Sequence, residues 1–371
     1  MKILITGGCG FIGSHLVDRL VVSGHKVRVY DLLEPQVHLG KKPAFLNKHA
    51  EYIFQDIRNR EKLKKALRGI DIIFHEASQV GVGQSMYQIE KYVSHNSFGT
   101  AVLLDLIVNT RNTVKKIIIA SSMSIYGEGA YRCKTCGMVY PPLREEGQLK
   151  KRDWEIRCPK CKRIVSQVPT PEDKPLSPTS IYATTKRCQE EMCLGVGRAC
   201  KIPTVALRYF NVYGPRQSLN NPYTGVAAIF LSQVKNNHAP LIFEDGRQSR
   251  DFIYISDIVE ANILAMNKQE ADYDIFNVGT GKPQAILSVA SFIISFYNKE
   301  LLKPKIINKF RTGDIRHCYA EISKISKELG FRPKISFREG MQKLIAWSQT
   351  QEARDLTQKA QLELKKRGLA Q

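Results

Sequence analysis

The chain opens with KILITGGCGFIGSHLVDRLVVSGHKVRVYD, residues 2–31, and this stretch decides the fold. A short apolar run leads into a cluster of glycines, an amphipathic segment follows, and a turn at Ser23-Gly24 precedes a second apolar run that ends at Asp31. These spacings predict a strand, a helix and a second strand. The stretch therefore reads as a βαβ unit.

Strands and helices continue to alternate beyond this unit. Apolar runs at 72–74, 116–120 and 204–207 predict strands, and the spacing of residues 61–68 and 100–109 predicts helices between them. This alternation predicts an α/β fold, a Rossmann-type doubly wound parallel sheet.

Two interruptions of the alternation divide the chain. Residues 131–168 are rich in Lys, Arg, Cys and Pro and match neither a helix nor a parallel strand, and the pattern becomes mixed after Asn211. We predict five segments: the first part of a Rossmann domain at 1–130, an insertion at 131–168, the continued Rossmann domain at 169–210, mainly a smaller discontinuous substrate-binding domain at 211–348, with 250–281 returning to the Rossmann domain, and a polar tail at 349–371. The tail is expected to be a solvated terminal helix.

Composition narrows the class of partner. The 371 residues include 56 Lys and Arg against 35 Asp and Glu, a net charge of +21, which favours nucleic acids, anionic membrane surfaces or phosphorylated metabolites. No apolar run approaches the roughly 20 residues that span a bilayer, and the first residues lead into a strand rather than a signal peptide. We therefore expect a cytoplasmic protein without a membrane partner.

The glycine cluster has the spacing of a dinucleotide-binding turn. Gly7 permits a tight turn, Gly10 lets backbone amides approach a pyrophosphate, and Gly13 lets the helix pack closely on the strand. Asp31 stands 18 residues beyond Gly13, where a carboxylate accepts hydrogen bonds from ribose hydroxyls and repels a 2′-phosphate. These residues predict NAD as the cofactor, while two basic residues earlier in the same strand leave NADP open.

A tyrosine and a lysine stand four residues apart in a predicted helix, Tyr182 and Lys186, and so share one helix face. A tyrosine with a pKa of about 10 needs roughly three units of lowering to act as a base at neutral pH. A lysine ammonium and an oxidised nicotinamide ring nearby have enough charge to supply this lowering together.

Nine short motifs follow one another along the chain: TGGCGFIG at 6–13, Asp56 in QDIR, HEAS at 75–78, SSMSIYG at 121–127, YATTK at 182–186, RYFNVYGP at 208–215, GRQSRDFIYISD at 246–257, NVGTG at 277–281 and RTGDIRH at 311–317. Together they resemble the extended short-chain dehydrogenase/reductases that act on nucleotide sugars, over about residues 1–130 and 165–348.

The resemblance implies a role for each matching residue. Tyr182 would be the acid or base at a sugar hydroxyl, Lys186 would orient the nicotinamide ribose and lower the pKa of Tyr182, and Ser122 would bind the same sugar oxygen. The expected NAD contacts are Gly7, Gly10, Phe11, Ile12, Gly13, Asp31, Asp56, Ile57, Ala77 and Lys186.

The resemblance also implies a substrate site. Asn211 would hold the diphosphate of a nucleotide sugar, with Arg250 and Arg311 as counter-charges, and Asp314 would lie beside the nucleoside. Ser124 is expected to contact the substrate in the turn after the catalytic strand.

One departure from the family pattern favours a particular reaction. Dehydratases of the family carry an Asp-Glu pair after the serine or threonine of this turn, and decarboxylases carry a Glu, whereas this chain has Met123 and Ser124. The expected reaction is therefore NAD-dependent epimerisation at C4 through a transient 4-keto sugar.

The insertion and the segment RTGDIRHCYAEIS resemble those of dTDP-L-rhamnose 4-epimerases, so a dTDP-6-deoxyhexose is the first substrate expected, with UDP-glucose, UDP-N-acetylglucosamine and UDP-glucuronate open.

Other readings of the same residues remain. A non-catalytic protein could bind NAD and use its basic insertion to hold RNA or a protein, and a 4-ketoreductase would use the same triad with NADPH. We expect instead an enzyme of polysaccharide biosynthesis that forms a homodimer through helices 100–109 and 182–196, as the family does, with nucleic acid an unlikely partner.

Four of the nine cysteines form two CxxC pairs, Cys133 with Cys136 and Cys158 with Cys161, separated by 21 residues. Two such pairs aim four thiolates at one point and predict a structural zinc ribbon. Redox-active dithiols and an iron–sulfur cluster are the alternatives. The insertion has ten basic against four acidic residues, and its role as a structural or dimer-contact flap, a substrate gate or a nucleic-acid contact is left open.

Overall fold

The apolar runs of the sequence form the strands of a seven-stranded parallel sheet in the computed structural model, which describes residues 1–311 and 313–370. Thr312 of the RTGDIRH motif and Gln371 of the tail lie outside the described residues. No helix in the described part of the chain is long and apolar enough to cross a membrane.

The described residues form sixteen strands: β1 (Lys2–Thr6), β2 (Lys26–Asp31), β3 (Glu51–Phe54), β4 (Ile72–His75), β5 (Lys116–Ser122), β6 (Ala130–Cys133), β7 (Gly137–Val139), β8 (Ser166–Val168), β9 (Thr204–Tyr209), β10 (Asn211–Tyr213), β11 (Leu241–Ile242), β12 (Ser249–Tyr254), β13 (Ile275–Val278), β14 (Pro283–Ala285), β15 (Lys305–Ile306) and β16 (His317–Cys318).

The α-helices of the same residues are α1 (Phe11–Val22), α2 (Pro35–His38), α3 (Arg60–Ala66), α4 (Val82–Ser85), α5 (Ile89–Tyr92), α6 (Gly99–Asn109), α7 (Glu146–Lys150), α8 (Ile181–Ala199), α9 (Val226–Lys235), α10 (Ile255–Asn267), α11 (Ile286–Phe296), α12 (Ser323–Leu329), α13 (Phe337–Gln349) and α14 (Thr357–Lys366). A π-helical segment (Val93–Phe98) leads into α6, and 3₁₀ turns follow β5 (Met123–Tyr126) and α10 (Gln269–Ala271).

The large sheet has the strand order β13-β9-β5-β4-β1-β2-β3, with every pair parallel. After β3 the chain crosses to the other side of β1, so the direction of winding reverses between β1 and β4. A parallel α/β sheet binds ligands at the carboxyl ends of its strands next to such a reversal. The predicted Rossmann fold is confirmed.

Both faces of the large sheet are covered, as a parallel sheet requires. Side chains alternate along β1, so that Ile3 and Ile5 belong to one apolar cluster and Leu4 to the other. The first cluster includes α1 and α10, and the second includes α3, α6 and α8.

A second, smaller sheet follows the chain order β10-β12-β14, with β16 beside β12. An aromatic group of Tyr213, Phe252, Tyr254 and Phe337 packs it against α13, with ring centroids 5.6–6.3 Å apart. The segment 250–281 divides between the two sheets, because β12 pairs in the small sheet and β13 forms an edge of the large one.

The insertion forms a separate antiparallel sheet of three strands, in the order β7-β6-β8. The tail is a helix, α14, but it does not lie free in solvent as expected. Ala360 and Leu364, four residues apart among polar neighbours, are both buried, so α14 docks on the protein through this narrow apolar stripe.

A buried ion pair joins the sheet to helix α8. Arg208 on β9 donates to both carboxylate oxygens of Glu190 on α8, at 2.6 and 3.0 Å, and the two side chains are 3% and 2% exposed. The hydroxyl of Ser121 on β5 donates to the same carboxylate at 2.5 Å.

We expect Glu190→Gln to lower the free energy of unfolding by about 3–5 kcal/mol, because it leaves the guanidinium of Arg208 buried without a counter-charge. Glu191→Gln is the matched control, since the neighbouring Glu191–Arg187 pair is exposed and costs at most about 1 kcal/mol to remove. Urea unfolding followed by circular dichroism measures both variants. Equal stability losses in the two would contradict the importance of the buried pair.

Candidate active site

A cavity of 630 Å³ opens at the carboxyl ends of β1, β4 and β5. Most residues that the sequence analysis selected for cofactor, catalysis and substrate line this cavity: Gly7, Gly10, Phe11, Ile12, Gly13, Asp31, Ile57, Ala77, Ser122, Ser124, Tyr182, Lys186, Asn211, Arg250, Arg311 and Asp314. Motifs separated by up to 300 residues thus meet in one place.

The glycine turn between β1 and α1 is shaped to admit a pyrophosphate. Gly7 has a φ of +74°, and a Cβ on it would lie 2.7 Å from the backbone nitrogen of Ala77. A Cβ on Gly13 would lie 2.4 Å from the carbonyl oxygen of Gly7. Helix α1 has no side-chain cap at Gly10, so its first amides are left to an anion. This cradle fits the diphosphate of NAD.

Asp31 ends β2 on the wall of the cavity. Its carboxylate accepts hydrogen bonds from the amides of Cys9 at 2.8 Å and Leu33 at 2.7 Å, and a carboxylate has about four acceptor sites, so acceptor capacity remains for ribose hydroxyls. Arg28, a possible partner for a 2′-phosphate, is held away from this position by Glu51 at 2.8 Å and by the carbonyl of Ala66 at 2.7 Å. The carboxylate of Asp31 at this position, with Arg28 bound elsewhere, therefore fits NAD better than NADP.

The three residues expected to be catalytic lie together. Ser122 ends β5 and accepts hydrogen bonds from the amide and the hydroxyl of Ser124, at 3.2 and 2.9 Å. Ser180 caps α8, and the next turn brings Tyr182 and then Lys186 to the cavity. The hydroxyl of Ser122 lies close enough to that of Tyr182 to lower the pKa of the tyrosine.

Burial dominates the protonation of this group. It raises the pKa of Tyr182 above its usual value, and the hydrogen bond from Ser122 opposes the rise. Burial also lowers the pKa of Lys186 to about 8. The expected lowering of the tyrosine pKa is thus not a property of these side chains alone, and further positive charge in the cavity is needed to produce it.

Glu76, which the sequence analysis did not select, lies beside this group. Burial raises its pKa to about 7, against the attraction of Lys186. Its carboxylate accepts a hydrogen bond from the hydroxyl of Tyr209 at 3.0 Å, and the amide of Asn262 donates to that hydroxyl at 2.7 Å. Of the charges near Lys186, that of Glu76 opposes the lowering of the lysine pKa most strongly.

Polar atoms without partners occur among the residues that line the cavity. Four lining amide side chains each leave one buried atom unpaired among the described residues: Asn211 Oδ1, Gln217 Oε1, Gln248 Oε1 and Gln361 Nε2. Buried polar atoms usually have partners. This pattern indicates that a polar ligand completes the site.

The charged residues of the substrate half already have partners within the protein. Arg311 donates to Asp314 at 2.7 Å and lies over the ring of Phe243, 4.7 Å from its centroid. Arg250 donates to the carbonyls of Ser249, Arg316 and Ile315 at 2.7–3.0 Å. These carbonyls direct the guanidinium of Arg250 along the cavity wall.

Of the residues expected to contact cofactor or substrate, only Asp56 is absent from the described lining of the cavity. Its carboxylate is bound by Arg58 at 2.6 and 2.9 Å and lies 3.6 Å from His95. Its neighbours in the chain, Gln55 and Ile57, line the cavity instead. Any contact of Asp56 with an adenine stays a prediction.

The four paired cysteines converge at one end of the insertion. Their sulfur atoms all lie within 4.8 Å of one another, and those of Cys133 and Cys161 are 3.5 Å apart. A tetrahedral zinc with bonds of about 2.3 Å requires sulfur atoms about 3.8 Å apart. Backbone amides donate to Cys133 and lower its pKa to about 6, which favours the thiolate. The cluster fits a zinc ion.

Buried charges attach the insertion to the substrate segment. Arg144 of the insertion donates to both carboxylate oxygens of Glu244, at 2.8 and 2.9 Å. Arg316 donates to Glu244 at 3.0 Å and to Glu155 of the insertion at 3.1 Å. Since Glu244 and Asp314 both line the cavity, the insertion is joined to the wall of the site.

Comparison with known proteins agrees with this geometry. The model of the NAD dependent epimerase/dehydratase family matches residues 3–145 and 158–279, and the interruption falls between the two cysteine pairs. The dTDP-L-rhamnose 4-epimerase of Burkholderia thailandensis is 34% identical over 349 residues, which are 93% of this chain and 94% of that protein.

Solved structures of similar proteins include cofactor and substrate complexes. The UDP-glucose 4-epimerase of Thermotoga maritima, solved with UDP-glucose, has a TM-score of 0.77 at 30% identity, covering 94% of this chain and 99% of its own. The UDP-glucuronic acid 4-epimerase of Bacillus cereus, solved with UDP-glucuronic acid and NAD, has a TM-score of 0.77 at 27% identity, with the same coverage. From these matches and the site's geometry, the chain belongs to the NAD dependent epimerase/dehydratase family.

Proposed function

We propose that this protein is an NAD-dependent nucleotide-sugar 4-epimerase. The observation that carries the proposal is the meeting of Ser122, Tyr182 and Lys186 beside a glycine turn that fits a pyrophosphate, in a cavity with unpaired polar atoms at its other end. Met123 and Ser124 stand where the family's dehydratases and decarboxylases carry carboxylates, so elimination and decarboxylation lack their acid or base.

NAD, when bound, supplies the acceptor and later the donor of one hydride. Tyr182 takes the proton of the sugar's C4 hydroxyl and returns it at the end, while Ser122 holds the same oxygen through its hydroxyl. Lys186 orients the nicotinamide ribose and adds positive charge near Tyr182. One proton and one hydride leave the sugar and both return, so no cofactor is consumed and the net reaction is inversion at C4.

The substrate proposed first is a dTDP-6-deoxyhexose. Support comes from the similarity to the Burkholderia thailandensis dTDP-L-rhamnose 4-epimerase over 93% of the chain. UDP-hexoses are the alternative, because the Thermotoga maritima and Bacillus cereus relatives bind UDP-sugars. Asn211 would hold the diphosphate, Arg250 and Arg311 would balance its charge, and Asp314 would exchange Arg311 for the nucleoside. An activated sugar of this kind would serve polysaccharide biosynthesis.

The insertion is proposed to be a structural zinc ribbon that supports the substrate site. Four cysteines complete a tetrahedral shell and leave no position for substrate. The contacts of Arg144 and Glu155 with Glu244 and Arg316 favour support over a moving gate, because breaking buried ion pairs is costly.

A homodimer is proposed through α6 and α8, on the face that continues into α5 and the π-helical segment. Ile89, Val93, Phe98 and Val108 are between 43% and 56% exposed there, an apolar surface of the kind that mediates association. The cytoplasmic location stays a prediction.

The first test is proton NMR of the purified protein with a panel of dTDP- and UDP-sugars and no added cofactor, read at the H4 coupling. We expect a new C4 epimer from at least one sugar, and release of NAD rather than NADP on denaturation. Bound NAD with no turnover across the panel, together with a salt-dependent shift of RNA, would favour the alternative of a non-catalytic NAD-binding protein. Turnover that requires added NADPH would favour a 4-ketoreductase.

The second test removes the proposed acid–base. Tyr182→Phe is expected to lower kcat about 100- to 10,000-fold, the usual contribution of general acid–base catalysis, with NAD content unchanged. Tyr140→Phe, in an exposed tyrosine of the insertion, is the matched control and should keep kcat within two-fold. Activity of Tyr182→Phe near that of Tyr140→Phe would assign the proton transfer to another group.

The third test concerns the metal. Elemental analysis is expected to find one zinc per chain, and Cys158→Ser to lose it and to lower the Tm, because a structural zinc contributes folding free energy. Cys200→Ser, in an exposed cysteine outside the cluster, should keep both. Iron in place of zinc, or a metal-free protein that is stable, would refute the zinc ribbon.

A further inference from the structure

Helix α14 forms part of the cavity wall. Thr357, Ala360, Gln361 and Leu364 line the same cavity as the catalytic residues. Their spacing of three and four residues places them on one face of the helix. The tail therefore belongs to the site geometrically, although its composition predicted a solvated helix.

The segment before α14 is attached to the end of α9 and to the loop that precedes α9. The amide of Asn236 donates to the carbonyl of Ala353 at 2.9 Å, the amide of Arg354 donates to Asn220 at 2.8 Å, and Asp355 pairs with His238 at 2.7 Å. These contacts hold the tail in place just before α14 begins.

The last residues of the tail contact two different segments beside the cavity. Arg367 lies over the ring of Tyr87 at 4.3 Å, next to the short helix α4, whose Ser85 accepts a hydrogen bond from the amide of Tyr182 at 3.0 Å. Ala370 forms a β-bridge with Arg311. The end of the tail therefore contacts both the segment that follows α4 and the substrate segment.

Gln361 lines this cavity and carries an unpaired donor. Its Nε2 is buried and has no partner among the described residues, whereas the unpaired atoms of Asn211, Gln217 and Gln248 are acceptors. An amide nitrogen needs an acceptor, and leaving it buried without one is unfavourable. An acceptor oxygen of a ligand would satisfy Gln361, whereas hydroxyl donors would satisfy the other three.

Gln361 also lies at the end of the cavity where the nucleotide is proposed to bind. Gln361 and Phe243 line both the main cavity and an adjoining cleft of 280 Å³. Phe243 is the residue over which Arg311 lies, and Arg311 is the proposed counter-charge of the diphosphate.

We propose that α14 is a wall of the nucleotide-sugar site and that Gln361 donates a hydrogen bond from Nε2 to an oxygen of the nucleoside diphosphate. This inference rests on the proposed function, since it takes the ligand to be a nucleotide sugar. It makes Gln361 a binding residue that acts on substrate affinity and leaves the chemical step unchanged.

The test compares Gln361→Ala with Lys359→Ala, an exposed position on the other face of the same helix. Calorimetric titration of the purified holoenzyme with UDP and dTDP measures the nucleotide Kd directly. We expect Gln361→Ala to raise that Kd and the KM of the sugar substrate about 3- to 10-fold, the effect of losing one hydrogen bond, with kcat within two-fold. Lys359→Ala should match the wild type in all three.

Unchanged UDP and dTDP affinities in a Gln361→Ala protein that keeps its NAD and its Tm would overturn the inference. So would a fall in kcat at constant Kd, which assigns Gln361 to the chemistry. A wild-type protein that binds UDP or dTDP through Gln361 but turns over no sugar would refute the proposed function alone. Deletion of residues 353–371 gives a second measurement, and we expect its KM to rise more than that of Gln361→Ala.

Discussion

The buried pair of Glu190 and Arg208 is the constraint on which the active site depends. It joins α8 to β9, and Ser121 joins the same carboxylate to the end of β5, one residue before Ser122. Tyr182 and Lys186 lie on α8, so the contact of Glu190 with Arg208 and Ser121 fixes this helix relative to Ser122. Burying a charge costs desolvation energy. The attraction between the two charges offsets this cost only while both are in place. Catalytic geometry and folding stability are thereby coupled.

The same chemistry recurs at the other end of the cavity. Arg144 and Arg316 share Glu244, and this carboxylate connects the cysteine insertion to the segment that carries Asp314. The excess of basic residues in the sequence is therefore not all surface charge, because several arginines are buried as structural donors. Arg311 is the contrasting case. It stands partly exposed on the cavity wall, where an anionic ligand can replace Asp314 as its partner.

Much of the site could be predicted because its residues lie in short motifs with local rules. A glycine turn needs Gly7 and Gly13 for steric reasons, and a helix places residues four apart on one face, so Tyr182 and Lys186 followed directly from their spacing. Glu76, Gln217 and Gln248 could not be predicted in the same way. They stand in loops or at strand ends, where no periodicity marks the side that faces the cavity. Asp56 was selected from its motif, and the structure adds that Arg58, two residues away, binds its carboxylate.

The sequence by itself determined the parallel sheet, the order of its elements, the cofactor turn and the convergence of the cysteine pairs, since each follows from spacing within one segment or from strand alternation. Only the tertiary structure decided that α14 lies on the cavity and that the insertion is joined to the substrate segment. Both depend on contacts between residues far apart in the chain, such as Arg144 with Glu244, 100 positions apart, and Ala370 with Arg311 in the bridge, 59 positions apart. Local propensity carries no information about such pairs, because the two partners meet only when the chain folds.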